Sequence, residues 1–142
     1  MPNKVNFKEL VVGDILPVKN TGPISRHTIG LYAAGSSDFN PLHLDSDFAK
    51  DKAGLPDVIV HGMFVMGYLA KIATDSVTPE NIKRVKAQFR AMTNVNDDLT
   101  CSGVIKKIEN DKQGTLVTLS VKAARDTDDI VAVGEIDIAV SN

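Results

Sequence analysis

An aspartate and a histidine flank an Asn-Pro pair in Ser37-Asp38-Phe39-Asn40-Pro41-Leu42-His43. A continuous helix would put Asp38 and His43 on different faces, and proline is excluded from a helix interior. Asn40, preceding a proline, is driven towards extended or turn backbone. The expectation is a tight bend with the carboxylate at one end and the imidazole at the other, their side chains free to converge. A carboxylate beside a group that changes charge near neutral pH can move protons, so the pair is a candidate for acid/base chemistry. The same residues also make a good turn without chemistry, because Asp and Asn side chains bond nearby amides.

The flanking segments must hold this bend in place. Ser25 has the character of a helix N-cap, with Ile29, Tyr32 and Ala33 at helical spacing and Gly35 as a stop signal. Beyond the bend, Asp45-Ser46-Asp47 can cap a short helix ending near Gly54. The run Val58-Ile59-Val60 then leads into His61-Gly62, and from Met63 to Ala73 the chain is apolar on nearly every helical face until Lys71. A helix of that kind asks for burial all round, which a sheet wrapped about it would supply. Gly67 within it suggests close approach to another backbone. Three stretches of period-2 alternation follow, around Val85–Phe89, Leu99–Gly103 and Val117–Ala123. Turn residues at 110–114 and 126–129 imply antiparallel neighbours, and the last strand, Ile130 to Val140, carries Gly134 at an expected bulge. Ahead of all this, residues 1–20 read as extended chain broken at Gly13-Asp14 and Pro17, with Val11, Val12, Ile15, Leu16 and Val18 as its apolar side.

Tyr32 through Ala49, with its Asp-x-Asn-Pro-x-His core, and the downstream Ile59-Val60-His61-Gly62-Met63 resemble the MaoC-like hydratases. These are (R)-specific enoyl-thioester hydratases and 3-hydroxyacyl-thioester dehydratases. The resemblance implies an α+β hotdog fold, a curled antiparallel sheet around one long central helix, as a single domain over residues 1–142. It implies Asp38 and His43 as the catalytic dyad and the Gly62 amide as the donor to the thioester carbonyl. That last role suits a helix start, where unpaired amides and the positive end of the helix dipole face outward. Around these, Asn40, Tyr32, His61 and Met63 are the candidate substrate-binding residues. Each of three has a competing structural reading: Asn40 as a turn former only, Tyr32 as a core-facing aromatic, and His61 as a hydrogen-bonded structural histidine, which is the preferred one. The chain departs from the family pattern at Ala70, where some relatives carry serine. It departs again at Ala91 to Asp97, where Pro-Val and Gly-Asp are usual.

Composition narrows the alternatives. With 142 residues, 43% of them hydrophobic, the chain can build one real core. A formal charge of -2 argues against nucleic acid as the main partner. One cysteine, Cys101, allows no internal disulfide, and the polar N-terminus lacks signal-peptide character, so a cytoplasmic location is expected with no membrane association. The three histidines lack zinc-ligand spacing, so no metal is expected. No cofactor is expected either, with coenzyme A or acyl-carrier pantetheine entering as part of an acyl-thioester substrate. Lys83, Arg84, Lys86, Lys106 and Lys107 offer either a phosphate-binding surface or an ordinary solvated sheet face. A hotdog unit exposes an edge strand, so a homodimer is expected, with a heterodimer as the variant. Two further readings are a thioesterase, disfavoured by the lack of Asp or Glu between Met63 and Thr74, and a non-catalytic acyl-binding partner subunit.

Overall fold

The computed structural model describes residues 5–112 and 114–140. Five strands, β1 (Lys19–Pro23), β2 (Ile82–Phe89), β3 (Asp98–Asp111), β4 (Gly114–Ala124) and β5 (Ile130–Val140), form one antiparallel sheet in the order β1-β3-β4-β5-β2. Helices α1 (Arg26–Ser36), α2 (Pro41–Leu44) and α3 (Ser46–Ala53) precede α4 (Gly62–Thr74), which lies against all five strands. This is the hotdog arrangement.

Alternation builds the sheet's inner face. Leu99 and Cys101 on β3, Val117, Leu119, Val121 and Ala123 on β4, and Ile136 and Ile138 on β5 are all buried. Burial also pushes the Cys101 thiol up to about 11, which makes it inert filler. The turns lie where the sequence puts them, although Gln113 falls outside the described residues. Gly134 is not at a bulge: it pairs in regular register with Ala87, and the β4–β5 irregularity lies at Ala123/Ala124. A Cβ on Gly134 would stand 2.1 Å from the Lys86 carbonyl oxygen, so this position needs glycine for close approach of β2.

The N-terminal segment differs from expectation. Residues 13–16 bond to β3 through the amides of Gly13, Leu16 and Ile105. Only Leu16 of its apolar set is buried, while Val11, Val12, Ile15 and Val18 face outward.

Helix α4 sits in the curl of the sheet but is covered on one side only. Val65, Leu69, Ile72 and Ala73, spaced to share a face, are buried on the sheet. Each large member contributes on the order of 1.5–3 kcal/mol. Met63 is 57% exposed, Gly67 is exposed, and no atom outside the helix backbone lies within 4 Å of where a Gly67 Cβ would be. The expected all-round burial and close approach at Gly67 are therefore not made within a single chain.

Candidate active site

The Asp38–His43 segment is a short helix entry where the sequence reading expects a tight bend. Helix α1 starts at its N-cap Ser25, whose Oγ accepts from the Thr28 amide at 3.1 Å. It runs through Gly35 and stops at Ser37, which takes the left-handed conformation (φ 60°). Asn40 then caps α2, its Oδ1 accepting from the Leu42 amide at 3.0 Å. Pro41 occupies the first helical position, where its missing N–H has no partner to lose. The Asn40 side chain is thus spent on the cap, and its own amide donates to Asp38 Oδ1 at 3.3 Å.

His43 lies inside this single turn, with Nδ1 2.7 Å from the Ile59 carbonyl oxygen. A carbonyl only accepts, so Nδ1 carries the proton there and the neutral ring keeps its lone pair on Nε2. A carboxylate oxygen of Asp38 and ring nitrogens of His43 and His61 all lie within 4.8 Å of one another. Convergence of the aspartate and the imidazole is therefore met.

His61 is the N-cap of α4 and is 1% exposed. Its ring stacks on His43 with centroids 3.7 Å apart and planes at 26°, and also meets the tilted Tyr32 ring with centroids 4.8 Å apart. Nε2 lies 3.1 Å from the Asp38 main-chain oxygen, so Nε2–H donates to it. Nδ1 is buried without a partner. Asp, His and His side by side invite a metal reading, which the stacking opposes. An imidazole ligand bonds in its ring plane at about 2.0–2.1 Å. Two nearly parallel rings this close cannot both aim at one ion from that distance.

Gly62 is the first residue of α4, so its amide and that of Met63 have no intrahelical acceptor. A Cβ here would stand 3.3–3.5 Å from the Phe89 ring, close enough that the ring would have to give by a few tenths of an ångström. Gly62 and His43 share a cavity of about 450 Å³ with Ile59, Val60, Val65, Phe89, Arg90, Ala91, Met92, Thr93 and Val131. Tyr32 and Met63 do not line it. Tyr32 packs edge-on to Phe64 at 5.5 Å and borders a separate hollow between α1 and α4.

Several wall residues escaped the sequence reading. Phe89 was recognisable only as a strand residue. Thr93 is buried, with its carbonyl accepting from the Val60 amide at 2.8 Å, a pairing that no local pattern announces. Arg125 ties the 90–97 loop down by donating to the Met92 carbonyl at 2.8 Å and to Asp97 at 3.0 Å. The basic surface is largely spent on the sheet. Arg84 pairs with Glu135 and Asp137, Lys106 with Glu135, and Lys107 with Glu109. Hydrogen bonds from Lys106 and then Arg84 hold the Glu135 carboxyl at about 2.

The sequence model of the MaoC like domain matches residues 8–127. The chain belongs to the MaoC-like family. Among curated relatives, the mitochondrial 3-hydroxyacyl-[acyl-carrier-protein] dehydratase of Arabidopsis thaliana is 29% identical over 126 residues, covering 87% of this chain and 73% of that protein. The fatty acid synthase subunit beta of Aspergillus oryzae is 33% identical over 144 residues, which cover 92% of this chain but only 7% of that one. Among solved structures, the unliganded R-hydratase PhaJ1 from Pseudomonas aeruginosa superposes with a TM-score of 0.81 at 25% identity, covering 98% of this chain and 87% of that chain. In the 90–97 loop, Asn96 holds φ 68°, a region that asparagine tolerates better than most residues.

Proposed function

We propose that the protein is a hydro-lyase that adds water reversibly to a trans-2-enoyl thioester, giving the 3-hydroxyacyl thioester. The observation that carries this reading is the convergence of the Asp38 carboxylate on the His43 imidazole, with His43 and the open amide end of α4 sharing one cavity. In the hydration direction, His43 Nε2 takes a proton from water as its oxygen bonds to C3. That proton passes from His43 to the Asp38 carboxylate, which delivers it to C2, so one water is added and both groups return to their starting states. The negative charge that grows on the thioester oxygen between these events is met by the Gly62 amide and the dipole of α4. Neither step calls for a metal or a cofactor, and coenzyme A or carrier pantetheine arrives on the substrate. A second copy of the chain, or a related partner chain, is proposed to cover the exposed side of α4 and the free edge of β2.

Support comes from the family and from relatives named as dehydratase and R-hydratase. The absence of a carboxylate on α4 speaks against hydrolysis. Crotonyl-CoA assayed with purified protein tests the reading. Loss of enoyl-thioester absorbance without release of free thiol is the expected result. Thiol release would indicate a thioesterase, and no turnover of any enoyl thioester would leave a binding subunit.

A further inference from the structure

We infer that His61 is a positioning residue for the proposed hydration, holding Asp38 and His43 in register with the Gly62 amide; the inference rests on the hydro-lyase reading above. One side chain meets all three parts of the site. Nε2–H donates to the Asp38 main-chain oxygen at 3.1 Å, across 23 residues of sequence. The ring lies flat against His43 at 3.7 Å, while the Ile59 carbonyl holds the His43 ring through Nδ1. The His61 main-chain oxygen accepts from the Phe64 amide at 3.1 Å, which anchors the turn that presents Gly62.

The unpartnered Nδ1 distinguishes this role from core filling. A buried polar atom with no partner costs stability, and almost all such atoms in folded proteins are satisfied. If His61 only filled space between Tyr32, His43 and the helix start, an apolar side chain would do so without that cost. An imidazole is needed only for its Nε2–H, and the group that receives it is the backbone of Asp38. Asp38 itself is exposed and follows a left-handed residue, Ser37, so it has little packing of its own to fix its direction. A misplacement of the order of 1 Å at a reacting group can cost on the order of 10² in rate.

Two variants separate the donor from the ring. His61→Phe keeps a flat buried ring and loses the N–H; His61→Gln keeps a donor and loses the stack. With crotonyl-CoA, His61→Phe is expected to lower kcat by about 10–100-fold with KM nearly unchanged, and His61→Gln to stay within about threefold of the wild type. In a His43→Ala background, His61→Phe should add little further loss, since residues acting as a unit are not additive. Should His61→Phe fail to fold, His61→Leu takes its place with the same expectation. A folded variant without the donor that keeps wild-type kcat overturns the inference. So does an additive loss in the His43→Ala background. Nitrogen NMR of the wild-type imidazoles gives a reading that needs no turnover: a neutral His61 protonated at Nε2 is expected, and an Nδ1–H tautomer overturns the inference. If the wild type turns over no enoyl thioester, the hydro-lyase reading fails, and the tautomer still reports on the bond to Asp38.

Discussion

The two faces of α4 carry similar side chains and meet different surroundings. Val65, Leu69, Ile72 and Ala73 are sealed against the sheet, while Met63 and Gly67 face outward. A helix apolar on nearly every side needs two covers, and one chain supplies only one. The difference teaches that closing a single chain uses only the inner face of α4 and leaves its outer apolar face uncovered. The inner face specifies how the chain closes on itself. The outer face, with the free edge of β2, is where a second subunit is proposed to dock. The site lies at the N-terminus of the same helix.

Breaking the inner face should have the largest effect. Leu69→Ala removes a fully buried side chain and is expected to cost about 2–5 kcal/mol, read from chemical denaturation. Met63→Lys on the outer face should leave intrinsic stability within about 0.5 kcal/mol. It should instead raise the dissociation constant for self-association at least about tenfold, measured by analytical ultracentrifugation. Equal losses of stability at both positions would erase the distinction between the faces.

The smallest effect belongs to the outer surface of the sheet. Glu135 has its carboxyl lowered from 4.5 to about 2 by Lys106 and Arg84. A group depressed in the folded state adds stability above its unfolded value and loses that contribution as pH falls through its folded value. Glu135→Gln should therefore melt slightly below the wild type at neutral pH, and the gap should close between pH 4.5 and 2. Because the pair is solvent-exposed, the effect is small and weakens with added salt. A gap that widens on acidification would contradict this account.

Much of the fold was legible because it rests on local chemistry. Period-2 alternation marked β2 to β4, Ser25 and Asp45 marked two helix starts, and the Asp-x-Asn-Pro-x-His string marked the pair whose side chains converge. Sequence misled where tertiary geometry decided. Pro41 reads as a helix breaker, but at the first position of a turn it starts one. Gly134 reads as a bulge, although its reason is the Lys86 carbonyl on a neighbouring strand. The Phe89 and Thr93 walls, and the Arg125 tie across the 90–97 loop, join residues distant in sequence and had no local signal. His61 was legible as a structural histidine, but its contacts with both Asp38 and His43 appear only in three dimensions.

The dyad is the central claim, and steady-state kinetics of Asp38→Asn and His43→Ala with crotonyl-CoA test it most directly. Each variant is expected to fold with a melting temperature close to the wild type and to lose roughly 10²–10⁴ in kcat, the range for a missing acid/base group. A folded variant of either kind that turns over at the wild-type rate would contradict the mechanism.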